Sequence, residues 1–228
     1  MTTLVFPGQG SQIIGMSRDF YDNFTTAKDT FEEIEDYVKL NLKKIIFEGL
    51  DDSLNLTKFT QISIFTASVV IYKTLINHSQ INIEKINVMM GHSLGEYSAL
   101  ACSDKIGLEE CSIILKKRGD LMHNAIEPNQ TGMAALIGQN SENVEKILSD
   151  NKLDLEIAND NSPIQVVISG DINEINKSKE ILLNNDIKKF ILLNVSAAFH
   201  SKFMIEAQNI LKNDIDKINF KENKISLI

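Results

Sequence analysis

Gly91-His92-Ser93-Leu94-Gly95 contains the residue types that chemistry would use first: a serine hydroxyl between two glycines, with an imidazole beside it. Ile86-Asn87-Val88-Met89-Met90 upstream reads as a short buried strand. Glu96 to Cys102 downstream reads as a helix of small residues. The pentapeptide therefore falls at a strand-to-helix corner, the geometry of a nucleophile elbow. Glycine on either side lets the backbone turn without a Cβ clash and raises the Ser93 hydroxyl above the sheet edge. The Leu94 amide then points from the helix N-terminus toward any oxyanion formed there. Such a serine serves acyl transfer, and it needs a base.

Four histidines are available. His78 falls at a polar helix end, His123 on a helix and His92 next to Ser93 itself. His200, in the loop Ala197-Ala198-Phe199-His200-Ser201, stands where a distinct segment of the chain returns to the main domain, and it is the candidate base. A second candidate is Arg118. It lies on the apolar stripe Leu108, Cys111, Ile114, Leu115, Leu121, Met122 and Ala125 of a helix opened by Gly107, where an unpartnered guanidinium is costly. Two readings stay open: a structural pair with Asp120 or Glu96, or a receptor for a ligand carboxylate, which arginine's two-pronged fork suits better than lysine. Lys116 and Lys117 point elsewhere. Near the start, Gly8-Gln9-Gly10-Ser11-Gln12 lacks both the third glycine of a dinucleotide loop and the lysine of a phosphate loop. It leaves either a tight turn or a Gln9 amide able to approach a ligand closely.

The elements that position these groups follow from periodicity. Leu4-Val5-Phe6 is a strand ended by Pro7. Phe20 to Phe47 gives surface helices, Asp51 to Asn55 a turn, and Phe59 to Ile76 a helix packed under the elbow. Glu127-Pro128-Asn129 is a hinge. Beyond it the spacing predicts a strand at Met133–Ile137, a helix from Ser141 to Ser149 capped by Ser141, and strands at Leu153–Ala158 and Gln165–Ser169. A helix capped by Asp171 with Glu174 follows, then a strand at Lys189–Leu193. Asn159 to Pro163 would be the loop between the two middle strands. This β-α-β-β-α-β order is the ferredoxin-like arrangement, inserted into a larger α/β domain. Lys224 to Ile228 reads as strand.

The composition excludes several classes. The 228 residues are 43% hydrophobic, enough for a packed core, and the formal net charge is −8 with a pI near 5.1. That field repels phosphate, which argues against nucleic acid and anionic membrane as partners. Met1 to Leu4 runs directly into strand with no leader pattern, and the apolar stretch Ile62–Ile76 is interrupted by Ser63, Thr66, Ser68, Lys73 and Thr74. Cys102 and Cys111 lie inside helical patterns and in no metal-ligand spacing, so they read as buried small hydrophobes in a reducing cytoplasm.

Taken together, Val5-Phe6-Pro7-Gly8-Gln9-Gly10-Ser11-Gln12, Gly91 to Leu100, Lys117-Arg118-Gly119, Asn161-Ser162-Pro163 with Gln165 to Gly170, and Phe199-His200-Ser201 come in an order that resembles the malonyl-CoA:acyl carrier protein transacylases. The resemblance spans nearly the whole chain. It implies a hydrolase-like α/β core with a parallel sheet over 1–127 and 197–228, and a ferredoxin-like subdomain over 128–196. It also implies roles: Ser93 as acyl-accepting nucleophile, His200 as base and then acid, Gln9 and Leu94 as the amides of the oxyanion hole, and Arg118 as partner of the malonyl carboxylate. His92, Asn161, Lys188 and Lys189 join Arg118 as substrate-binding candidates, the two lysines as a basic pair near the pantetheine mouth. The implied partners are malonyl-CoA and acyl carrier protein, in fatty acid biosynthesis. Coenzyme A enters as a thioester substrate, with no resident cofactor and no metal. Members of that family continue past the counterpart of Ile228 with a segment that orients the histidine, so the resemblance implies a C-terminal truncation, a weakened His200 and an exposed sheet edge. Two rival readings share the elbow: a serine hydrolase or thioesterase, and a non-catalytic fragment that binds coenzyme A or carrier.

Overall fold

The structure is a computed structural model and describes residues 2–228; Met1 lies outside the described residues. In chain order the elements are β1 (Thr2–Phe6), α1 (Arg18–Asn23), α2 (Thr25–Val38), α3 (Thr57–Asn77), β2 (Ile86–Gly91), α4 (Leu94–Cys102), α5 (Leu108–His123), β3 (Thr131–Ile137), α6 (Ser141–Asp150), β4 (Leu155–Ser162), β5 (Gln165–Asp171), α7 (Ile172–Leu183), β6 (Lys189–Leu192), α8 (Ile205–Ile215) and β7 (Ser226–Leu227). They divide into two compact units, Met1–Asp120 with Leu211–Ile228, and Leu121–Ile210.

The first unit is built on a parallel sheet in the order β1-β2-β7. Leu4, Val5 and Phe6 pair with Met89, Met90 and Gly91, which brings the ends of β1 and β2 level. Parallel strands must be covered on their faces, and the cover here is helical. α3 is the extreme case. Its length and hydropathy would suffice to cross a membrane, yet Ile62, Ile64, Phe65, Val69 and Val70 are buried in this unit together with Thr60, Gln61, Ser63 and Thr66. A helix buried on every side is a core helix. Two of its buried threonines are satisfied within the helix: Thr66 Oγ1 donates to the Ile62 carbonyl at 2.7 Å and Thr74 Oγ1 to that of Val70 at 2.7 Å. α2 shows the expected one-sided stripe, with Ala27, Phe31, Ile34 and Val38 buried. Residues 51–55, expected as a turn, form a short 3-10 segment entered through left-handed Asp51 and Asp52.

The second unit is an antiparallel sheet in the order β4-β5-β3-β6, the strand order of a ferredoxin-like βαββαβ fold. Alternation along β3 and β5 separates two cores. Ala134, Leu136, Val166 and Ile168 face Val144, Leu148, Ile175 and Leu182 of the helices. Met133, Ala135 and Val167 face Met122, Ala197, Phe199 and Met204. This second face explains a difference from the sequence reading. Residues 197–210, expected with the first domain, belong to this unit because Ala197, Phe199 and Met204 complete its sheet, and the division falls at 120/121 rather than after 127. Two local expectations also change. Asn140, not Ser141, caps α6, its Oδ1 accepting from the Asn143 amide at 3.0 Å, while Ser141 Oγ donates to Asp160 at 2.6 Å. Asn159 to Ser162, expected as loop, continue β4 past two irregularities in its register with β5, leaving only Pro163 and Ile164 as the turn. Asp171 caps α7 as the sequence suggested, accepting from the amides of Asn173 and Glu174.

Candidate active site

Ser93 sits between the last residues of β2 and the first turn of α4 with φ 53 and ψ −104, a backbone conformation that costs a non-glycine residue of order 1–3 kcal/mol. The neighbouring glycines show what enforces it. A Cβ on Gly91 would lie 2.0 Å from the Gly95 carbonyl carbon, and one on Gly95 would lie 2.4 Å from the Phe6 oxygen. The ends of β1 and β2 and the start of α4 thus meet backbone to backbone. The Gly95 amide donates to the His92 carbonyl at 2.9 Å and the Glu96 amide to that of Ser93 at 3.2 Å, closing the turn. Leu94, buried, opens the helix, where amides have no intrahelical acceptor and the helix dipole favours negative charge.

The first loop reaches the same corner. A Cβ on Gly8 would stand 2.8 Å from the His92 carbonyl oxygen, so only glycine permits that approach, and Gln9 follows immediately. The loop is shaped by its own side chains: Ser11 Oγ donates to the Gly8 carbonyl at 2.8 Å, and Gln12 Oε1 accepts from the Gly10 amide at 2.8 Å. Gln9 Nε2 donates to Thr57 Oγ1 at 3.3 Å, at the start of α3. The His92 side chain is exposed.

Arg118 lies on α5, partly buried, with its guanidinium turned to this corner. Nη2 donates to Ser93 Oγ at 3.0 Å, Nη1 to Gln61 Oε1 at 2.5 Å, and the fork lies over the Tyr97 ring, 5.5 Å from its centroid. Of the two readings left open for Arg118, the structural carboxylate pair is absent. Among the described residues no carboxylate oxygen lies within ion-pair distance of it, Asp120 pairs with Lys116 at 2.7 Å, and Lys117 pairs with Asp214 at 2.6 Å. Burial pulls the guanidinium below its usual range, while Tyr97 and the more distant Glu96 hold it up. Burial in turn raises the Tyr97 phenol, against the opposing pull of Arg118. An arginine titrates so high that it stays cationic throughout. Gln61 and Tyr97 were not singled out from the sequence. The available signal was a carboxamide at the head of a run of apolar residues, where burial demands a partner.

The remaining candidates lie in the second unit. His200 is exposed and adopts φ 55, on a turn whose preceding residues Ala197, Ala198 and Phe199 are buried. That turn is pinned on several sides: the Ala198 amide donates to Thr131 Oγ1 at 2.9 Å, Ser201 Oγ donates to the Ala198 carbonyl at 2.6 Å, and Lys202 Nζ pairs with Asp154 at 2.7 Å. A left-handed histidine on a rigid, exposed turn carries backbone strain of the sort found at functional positions. Asn161 is exposed on β4. Lys188 and Lys189 are exposed at the start of β6, the Lys188 stem lying against Gly138, where a Cβ would meet its Cγ at 2.8 Å. The structure therefore groups Ser93, Leu94, His92, Gln9 and Arg118 in the first unit, and His200, Asn161, Lys188 and Lys189 in the second. Among the described residues there is no cluster of three metal-ligating side chains.

A strained serine at a strand–helix corner is the geometry of a nucleophile elbow, and here an arginine donates to its hydroxyl. Comparison with known proteins agrees. A family model described as the acyl transferase domain matches residues 3–228. The malonyl CoA-acyl carrier protein transacylase of Bacillus subtilis (strain 168) is 33% identical over 228 residues, which cover 98% of this chain and 70% of that protein. The polyketide biosynthesis protein PksE of the same organism is 36% identical over 230 residues, covering all of this chain but only 29% of PksE. An acyl-carrier-protein-S-malonyltransferase structure from Bartonella henselae superposes with a TM-score of 0.92 at 36% identity, covering 100% of this chain and 74% of that one. The chain belongs to the acyl transferase domain family, alongside its malonyl CoA-acyl carrier protein transacylases. The expected fold, a hydrolase-like parallel-sheet core with a ferredoxin-like subdomain, is the one observed.

Proposed function

We propose that this chain moves a malonyl group from coenzyme A to the phosphopantetheine thiol of an acyl carrier protein, through an ester on Ser93. The observation that carries the proposal is the 3.0 Å hydrogen bond from Arg118 Nη2 to Ser93 Oγ: a hydroxyl in nucleophile-elbow geometry and a cation without a carboxylate partner occupy one corner. An acyl group with a free carboxylate two bonds from its reacting carbonyl carbon is the substrate that uses both.

In the first half-reaction Ser93 Oγ attacks the thioester carbonyl while its proton passes to His200. The negative charge that develops on the carbonyl oxygen is met by the amides of Leu94 and Gln9. The tetrahedral adduct collapses, the C–S bond breaks, and coenzyme A leaves as the thiol with the proton from His200. The second half runs in reverse, with the carrier's thiol attacking malonyl-Ser93 and giving its proton to His200, which returns it to Ser93. His200 is assigned the base's part because the reaction requires an imidazole and its strained, anchored turn presents one to solvent. His92 and Asn161 are assigned substrate-binding parts. Lys188 and Lys189 supply local positive charge for an acidic carrier, which a chain of net charge −8 would otherwise repel. The protein works in the cytoplasm with no resident cofactor. The carrier serves fatty acid synthesis; similarity to PksE favours polyketide assembly as the second reading.

Incubation with malonyl-CoA followed by peptide mass spectrometry tests the proposal. A stable malonyl adduct on the Ser93 peptide, discharged by holo carrier protein, is expected. Release of free malonate would make the chain a hydrolase, and an unmodified peptide would leave only a binding fragment. Replacing Arg118 with Ala should cut malonyl loading by an amount equivalent to about 2–5 kcal/mol, as for other charged partners that lose their mate.

A further inference from the structure

Arg118 is directed by a neighbour that carries no charge. Arginine has only donors, so the Gln61 atom 2.5 Å from Nη1 must be the carboxamide oxygen. Gln61 is 1% exposed and therefore held in a single orientation. The spacing between the two helices is set one residue further along α5, where a Cβ on Gly119 would stand 3.2 Å from the Lys58 Cα and 3.2 Å from the carbonyl oxygens of Lys58 and Thr57. That close approach of α3 to α5 accompanies the meeting of residues 61 and 118. The guanidinium also lies over the Tyr97 ring, 5.5 Å from its centroid.

Resting on the malonyl-transfer reading, we infer that Gln61 is a specificity-positioning residue: its neutral acceptor fixes the plane of the Arg118 fork toward Ser93 while leaving the cation's charge unneutralised. A carboxamide satisfies one donor and fixes direction, but it supplies no counter-charge. A glutamate there would satisfy the same donor and neutralise the cation, and the site would then have no reason to prefer an acyl group bearing an acid. Selectivity for carboxylated acyl groups thus depends on residue 61 being isosteric with glutamate yet uncharged. Gly119 contributes by keeping the two helices close enough for the contact.

The test compares wild type with Gln61→Glu, Gln61→Leu and Gly119→Ala, each checked for folding by thermal melting. Two readouts are used: the rate of Ser93 acylation by malonyl-CoA against acetyl-CoA, and the dissociation constant of free malonate by calorimetry. Gln61→Glu should lower the malonyl-over-acetyl ratio of kcat/KM by about 10- to 100-fold, chiefly through KM for malonyl-CoA, and weaken malonate binding by a similar factor. Gln61→Leu and Gly119→Ala, which loosen the fork without neutralising it, should raise KM for malonyl-CoA by roughly tenfold with kcat nearly retained. A folded Gln61→Glu variant with the wild-type ratio and wild-type malonate affinity overturns the inference. If that variant does not fold, unchanged KM in the other two overturns it instead. Failure of the transfer reading is separately visible, because wild type would then bind malonate without being acylated at Ser93.

Discussion

The two glycines of the elbow and those inside the antiparallel sheet meet different neighbours. At the elbow, a Cβ on Gly91 or Gly95 would strike main-chain atoms at 2.0 and 2.4 Å. In the antiparallel sheet, a Cβ on Gly132 meets only the Cδ1 tip of Ile172 at 2.8 Å, and one on Gly170 meets Leu155 Cδ2 at 2.6 Å with the nearest main-chain atom, the Asp154 oxygen, at 3.2 Å. A side-chain tip can rotate away; two strands and a helix packed backbone to backbone cannot. The ferredoxin-like sheet is held by an antiparallel ladder, irregular only along β4, and by two apolar faces, so a local change there should cost little. The parallel-sheet corner spends its close contacts on holding one serine in a conformation it would not otherwise adopt.

The largest effect that would separate the two follows directly. Gly95→Ala should cost about 3 kcal/mol or more, or prevent folding, whereas Gly132→Ala should stay within about 1 kcal/mol, both read from urea denaturation. Equal losses would erase the contrast. Alkaline pH should also distinguish the units, because every tyrosine and cysteine of the chain lies in the first. Burial raises the Cys102 and Cys111 thiols, and raises the Tyr72 phenol to about 12. These groups are neutral in the fold but ionise near their ordinary values once unfolded. The folded state therefore binds more protons above about pH 9, and its stability falls as pH rises from there toward the raised values. Hydrogen exchange should show amides of the first unit opening before those of residues 121–210.

Ser93→Gly sharpens the comparison from the other side. Glycine adopts φ 53 and ψ −104 without the strain a Cβ brings, so the variant should gain about 1 kcal/mol in thermal or urea unfolding while losing all acylation. A loss of stability would mean that the hydroxyl's contacts, including that from Arg118, outweigh the backbone strain. The smallest effect belongs to the second unit: Asp171→Ala removes the acceptor for two amides of α7 and should cost about 1 kcal/mol.

Much of this molecule was legible along the chain because it rests on constraints that act within a few residues. The glycine-flanked corner at Ser93, the Asp171 cap, the βαββαβ order and the buried face of α5 each follow from dihedral limits, capping chemistry or periodicity. What spans a longer separation was decided by packing. Arg118 was expected to choose between a carboxylate neighbour and a ligand, but its protein partners are a carboxamide 57 residues upstream and a hydroxyl 25 residues upstream. Asn140 rather than Ser141 caps α6 while Ser141 bonds Asp160 of β4, and residues 197–210 joined the second unit because that sheet has a second apolar face to cover. Local geometry belongs to the sequence because a dihedral angle is set by its own neighbours. Which donor meets which acceptor across tens of residues is set only when the whole chain has closed around them.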